Sequence, residues 1–205
     1  MQWDRVALAV GVILACMLLT EGFWARSRRL RTAEQERQWV DTQRSIRRTL
    51  NDPARTLSLA DIKARAVANQ AQLDQVCEST ANALSAPAAV ITVVEHQGQR
   101  WLAYYGADWC DEDTRSGLLQ PLETSYCKYV VTTDATLVIT DALKDIRVRS
   151  DDGQTREMVR AYLGAPVHTT DGVVVGSLCV FDNRPRKWST RDQATVESFA
   201  SLVRL

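Results

Sequence analysis

The sequence predicts an α+β fold, an antiparallel sheet covered by helices, on three observations. Arg160–Asp182 (RAYLGAPVHTTDGVVVGSLCVFD) reads as two strands joined by a tight hairpin, with Asp171-Gly172 supplying the positive φ that short turns require. The returning strand, Val173 to Phe181, is almost continuously apolar, which places it mid-sheet with both faces covered. Leu73, Val76, Cys77, Thr80 and Leu84 fall at helical spacing and would lay one face on such a sheet. Gly164 and Gly176 interrupt the two hairpin strands, as happens where another backbone or a ligand approaches closely.

At 205 residues the chain has room for one ordinary domain plus extensions. Lys and Arg number 25 against 25 Asp and Glu, so no global field points to nucleic acid. The chain opens with Val6–Leu19, uninterrupted apolar sequence that Trp3 and Trp24 bracket as interfacial anchors. A helix between the two tryptophans is about 33 Å long, against about 30 Å for a hydrocarbon core. Glu21, near the helix end, reaches the headgroup region. A cleaved signal peptide fits less well, because Asp4 offsets Arg5 and no small-residue cleavage site precedes Gly22-Phe23-Trp24. Arg26, Arg28, Arg29 and Arg31 mark the cytoplasmic side. Residues 1–25 are therefore expected to be a transmembrane anchor crossing the inner membrane once, with the remainder in the cytoplasm.

Residues 26–70 are expected to form a helical linker. Leu30, Trp39, Val40, Ile46 and Leu50 give a thin apolar stripe, too sparse for sustained heptads. It fits a helix that pairs with its copy in a homodimer and a solvated spacer equally well. Asp52-Pro53 ends the first helix, and a second is expected from Ser58 with Asp61 at capping-box spacing.

Residues 71–205 form the domain proper. Ala88–Glu95 reads as a strand, His96–Gln99 as a turn and Trp101–Tyr105 as the returning strand. Gly106–Gly117 is a polar, acidic loop, Ser125–Val131 a short helix and Leu137–Thr140 a strand. Asp145–Arg156 is charged and without period, hence a loop. Ser189 and Asp192 start a last helix whose inward stripe is Val196, Phe199 and Val203. The first and last helices of the domain should pack together on one face of the sheet.

Catalytic constellations do not emerge from the sequence. His96 and His168 lie at or beside turns without a Cys or carboxylate at ligand spacing, so no metal site is predicted. There is no G-x-S-x-G elbow and no phosphate-cradling glycine loop. Asp111, Glu112 and Asp113 lack the glycine spacing of a calcium loop. The five cysteines form no CxxC pair and no disulfide framework, which fits a reducing compartment. Cys16, Cys77 and Cys179 read as small buried hydrophobes and Cys110 as the more exposed thiol. Cys127 stands out because it neighbours Lys128, and a cation favours the reactive thiolate. On a helix, however, Lys128 points about 100° away from it.

The succession RAYLGAPV, hairpin, VGSLCVFD, PRKW and a closing helix resembles the end of a GAF domain. The resemblance runs upstream through SYCKYVVTTDATLVITDALKD (Ser125–Asp145) and, more weakly, to about Ala71. It implies about six antiparallel strands between helical layers, and a small-molecule or signal-sensing role like that of GAF domains in bacterial sensor kinases and cyclic-di-nucleotide cyclases. Particular GAF chemistries do not carry over. Lys128 follows Cys127 where bilin-binding relatives have a Cys-His pair, the Asn-Lys of the cyclic-nucleotide signature does not occur, and the surroundings of Cys110 and Cys127 do not match free methionine sulfoxide reductases. No cofactor is assigned.

The resemblance places a ligand between the sheet and Leu118–Asp145, with Tyr126, Cys127, Val130, Asp141 and Tyr162 lining its site. The implied function is a non-catalytic, membrane-anchored cytoplasmic sensor whose flanking helices pass the signal on. No kinase, cyclase or DNA-binding segment follows Leu205, so output is expected through a separate signalling protein, or the chain is a shortened relative of a longer sensor. Two other readings stay open: a dimerising membrane scaffold without ligand, and a thiol-redox sensor or methionine-sulfoxide-reductase-like protein.

Overall fold

The structure is a computed structural model that describes residues 34–110, 112–148 and 153–205. The chain forms two compact units, Met1–Arg44 and Ser45–Leu205. The anchor expected at residues 1–25 lies outside the described residues; among those described, no helix is long and apolar enough to cross a membrane. In the first unit, residues 34–44 are helical, and Arg44 pairs with Asp41 at 3.0 Å.

The second unit begins with helical residues 45–50 (α1), followed by α2 (Pro53–Ser58), α3 (Ile62–Ala68) and α4 (Gln70–Leu84). Then come β1 (Ala88–Val94), β2 (Gln99–Gly106), the short α5 (Glu112–Arg115), α6 (Cys127–Thr133) and β3 (Leu137–Ile139). The chain closes with α7 (Gly153–Met158), β4 (Ala161–His168), β5 (Val174–Asp182) and α8 (Thr190–Ala200). The sheet is antiparallel throughout, in the order β2-β1-β5-β4-β3.

β5 is the central strand, buried from Val175 to Phe181, as its apolar run predicts. Gly172 takes φ +80° at the hairpin turn. At Gly176 an added Cβ would stand 1.8 Å from the Thr92 carbonyl oxygen, so only glycine lets β1 and β5 close at that point.

Strand alternation divides the core in two. On one face Ala89, Ile91, Val93, Leu163, Ala165, Leu178 and Val180 pack beneath Leu73, Val76, Cys77 and Leu84 of α4 and Val196 and Ala200 of α8. α4 and α8 touch each other there, as the sequence predicts. On the other face Val90, Val94, Tyr162, Cys179 and Phe181 meet Cys127, Val130 and Val131 of α6, together with Ile46 and Leu50 of α1. The second half of the linker stripe is thus core rather than solvated surface.

Arg55 fixes α2 to the sheet. Its side chain, 4% exposed, donates from Nε to Val174 O (3.1 Å) and from Nη2 to Val175 O (3.1 Å) and to Val94 O. These carbonyls sit where the β1–β5 ladder ends, past the Val93–Gly176 pair.

Both rims of the sheet are partly covered. On β2, Gln99 exchanges backbone hydrogen bonds with Gln120 at 2.8 and 2.7 Å. Leu102 sits at a bulge, and its carbonyl accepts from Gln70 Nε2 at 3.1 Å. β3 has only three residues, and Arg147 Nη2 donates to its Val138 carbonyl.

Four expectations need correction. The sheet has five strands among the described residues rather than about six, because the chain after β2 forms α5 and a turn at Leu122–Thr124 and pairs with β2 through a single bridge, Gln99–Gln120. The second helix starts at Pro53, not Ser58: Asp52 accepts from Ala54 N and Arg55 N, so the proline opens a new helix at its first position. Asp61 precedes α3 without a side-chain capping bond. The charged 145–156 run is not a plain loop, since it holds a 3₁₀ turn, Ile146–Val148, and the start of α7.

Candidate functional site

A cavity of about 210 Å³ opens on the α6 face of the sheet. Its floor is sheet: Val90 and Thr92 from β1, Gln99 and Trp101 from β2, Tyr162 from β4, and Cys179 and Phe181 from β5. Tyr126 and Cys127 close one wall, and Cys110, Thr114, Gln120, Thr124, Thr155, Met158 and Val159 complete the rim. None of these residues is charged, among the described residues.

Aromatic packing shapes the cavity. Tyr126 meets Tyr162 edge-on, with ring centres 5.6 Å apart, and Trp109 meets Phe181 edge-on at 5.9 Å. Trp109 Nε1 donates to Met158 O at 3.1 Å, tying the segment after β2 to the end of α7. Ser125 Oγ donates to Gln99 Oε1 at 2.7 Å and accepts from Lys128 N at 3.2 Å, which positions the start of α6 over β2.

The deepest part is a sulfur and hydroxyl cluster. Tyr162 Oη donates to Cys127 Sγ at 3.3 Å and lies 3.2 Å from Ser177 Oγ. The hydrogen bond from Cys179, with the hydroxyls of Thr92, Tyr162 and Ser177, holds the Cys127 thiol below the ordinary thiol range, although burial pushes it up. Cys179 moves the opposite way: its bond to Cys127, and then its own burial, push it well up. Burial and the charge favoured on Cys127 likewise push up the Tyr162 phenol, so it remains a donor. Lys128 plays no part in this. Its Nζ donates to Leu122 O at 2.8 Å and sits 4.9 Å from the Tyr129 ring centre.

Of the five residues expected to line a ligand site, the structure brings Tyr126, Cys127 and Tyr162 together at the cavity. Val130, fully buried, belongs to the core under α6. Asp141 is not a lining residue: its carboxylate takes two hydrogen bonds from Arg160, at 2.8 and 3.0 Å, and one contact from Lys144 at 3.2 Å. Burial raises its carboxyl, but Arg160, Lys144 and the Leu143 N–H outweigh that and hold it below the usual range.

Sequence reading missed Gln99, Trp101, Cys179 and Phe181, and it took Cys110 for an exposed thiol, whereas Cys110 is buried in the rim. A signal for two of them was present. The hairpin register sets Phe181 opposite Tyr162 and Cys179 opposite Gly164, so a cavity containing Tyr162 contains them too. His168 pairs with Asp134 at 2.9 Å, and among the described residues no His, Cys, Asp or Glu cluster can hold a metal ion.

Comparison with known proteins gives a consistent picture. The GAF domain family profile matches residues 69–205. The cyclic di-GMP phosphodiesterase PA2567 of Pseudomonas aeruginosa is 32% identical over 134 residues, 63% of this chain but 21% of its own length. The chain thus spans about a fifth of that relative. Type II free methionine-R-sulfoxide reductase from Thermoplasma acidophilum superposes with a TM-score of 0.51 at 16% identity, over 71% of this chain and 100% of its own. The blue-light absorbing form of the Thermosynechococcus elongatus PixJ GAF-domain gives 0.51 at 15%, over 67% and 82%. At such identities the two structures share the fold with this chain.

Proposed function

This chain belongs to the GAF domain family through residues 69–205, and on that premise we propose that it is a sensory module that binds a small uncharged molecule without transforming it. The observation that carries this reading is the cavity itself, walled by aromatic rings, amides, hydroxyls and thiols. Burying a carboxylate or phosphate there without a facing cation would cost several kcal/mol. Arg100 and Arg160, each next to a lining residue, are engaged elsewhere, with Glu95 at 3.0 Å and with Asp141, while Arg115 and Arg156 flank the rim at Thr114 and Thr155.

Signal leaves through the helices around the cavity. α1 supplies Ile46 and Leu50 to the core that contains the cavity floor, and α2 holds the β1–β5 end through Arg55. Ligand-dependent repacking on that face would alter the purchase of both helices. They lead back to residues 1–25, which we assign as an inner-membrane anchor on their apolar run and arginine flank. A homodimer through the linker and a separate output protein complete the proposal.

The test is thermal unfolding of the full chain in detergent against uncharged aromatic and amide metabolites and their charged analogues. A ligand at about 100 times its Kd should stabilise by ~2.7 kcal/mol, and Trp101→Ala should lose the shift. Absence of any shift, or shifts confined to anions, would overturn the reading.

A further inference from the structure

Cys127 and Cys179 come from different elements, α6 and β5, yet both line one cavity, where Tyr162 Oη, 3.3 Å from Cys127 Sγ, lies over Gly164, the cross-strand partner of Cys179. Both are 3% exposed, and both line the space through which a small molecule would reach them. Tyr162 Oη, held between Cys127 Sγ and Ser177 Oγ, is a fixed donor beside the sulfur. This arrangement supplies what oxidation to a disulfide needs: an attacking sulfur, a resolving thiol lining the same cavity and an access route. We propose that Cys127 and Cys179 are an oxidation site, converted to an intramolecular disulfide by a small hydroperoxide. The proposal is independent of what the cavity binds.

The chemistry proceeds in two displacements. The Cys127 sulfur attacks the distal oxygen of the hydroperoxide, the S–O bond forms and the O–O bond breaks. Water or an alcohol departs carrying the thiol's proton, leaving Cys127 as a sulfenic acid. The Cys179 sulfur then attacks the Cys127 sulfur, the S–O bond breaks, and water departs with the Cys179 proton as the S–S bond forms. Two electrons pass from the thiol pair to the peroxide. The donors around Cys127 favour its ionised form, which makes it the attacking sulfur. Formation of the bond takes the free sulfur away from Tyr162 and joins α6 to the central strand.

The fold carries its own control. Cys77 lies on the opposite face of the sheet, outside the cavity, and burial pushes its thiol up to about 12.

The experiment treats the full chain in detergent with hydrogen peroxide, denatures it in alkylating agent and maps the cysteines by mass spectrometry. The expected result is one new cross-linked peptide joining Cys127 to Cys179, lost on reduction by dithiothreitol, while Cys77 is recovered alkylated. In Cys179→Ser the cross-link should disappear, and a dimedone adduct should accumulate at Cys127. Recovery of both cysteines as thiols, over-oxidation of Cys127 without a cross-link, or a cross-link to Cys110 would each overturn the proposal. The wild-type mapping decides the matter even where a variant fails to fold.

Discussion

Arg55 Nε donates to the Val174 carbonyl at 3.1 Å, joining residues 119 positions apart in sequence. With Val94 and Val175 also bound, one guanidinium satisfies three carbonyls at the ladder end. Arg55→Met should therefore cost about 3 kcal/mol, the scale of the charged hydrogen bonds lost. Arg55→Lys should recover only part, because an ammonium lacks the planar fork. Urea unfolding reads both, and an unchanged midpoint for Arg55→Met would refute the role.

Gly164 makes room for the tyrosine at the cavity floor. A Cβ there would stand 2.3 Å from Tyr162 Oη, so Gly164→Ala must push the phenol off Cys127. The variant should lose about 1–3 kcal/mol of stability through overpacking. With that donor displaced, alkylation of Cys127 at neutral pH should also slow. Wild-type alkylation kinetics in a folded variant would count against the contact.

Asp141 gives the fold an acid-sensitive joint. Its carboxyl is held below the ordinary range by Arg160, Lys144 and the Leu143 N–H, working against its burial. A depressed folded value means stability that is complete above the unfolded carboxylate range and lost as pH falls through it toward the folded value. Between about pH 5 and 3, wild type should thus lose more stability than Asp141→Asn. Chemical denaturation across that window distinguishes the two; parallel curves would deny Asp141 the part.

Ser189 caps α8 reciprocally, accepting from Asp192 N at 3.1 Å while Asp192 accepts from Ser189 N at 2.7 Å. Ser189→Ala should cost about 1 kcal/mol. Ser189→Asp should restore most of it, and thermal unfolding measures the pair.

What the sequence revealed follows the strength of each local signal. The apolar run at 173–181, the Asp-Gly turn and the Ser189–Asp192 spacing each have a single physical reading, and all three appear in the structure. Pro53 had two, since a proline ends one helix and opens the next; only the Asp52 side chain, which caps the new helix, decides between them. The start of α7 was hidden because a charged, polar stretch carries no apolar period to detect. At the cavity, Tyr126, Cys127 and Tyr162 were legible through the family resemblance. Cys179 and Phe181 were not, because a strand buried on both faces offers no alternation to sort its side chains. Their side of the sheet follows only from the hairpin register.

The partly covered rims of the sheet govern how copies of this domain can meet. A foreign strand arriving along β2 would have to evict Gln120 from Gln99 and Gln70 from Leu102, and at β3 it would find three residues and an arginine. These contacts work against strand-to-strand stacking of crowded molecules through these borders. Association of copies is thereby steered away from the sheet borders.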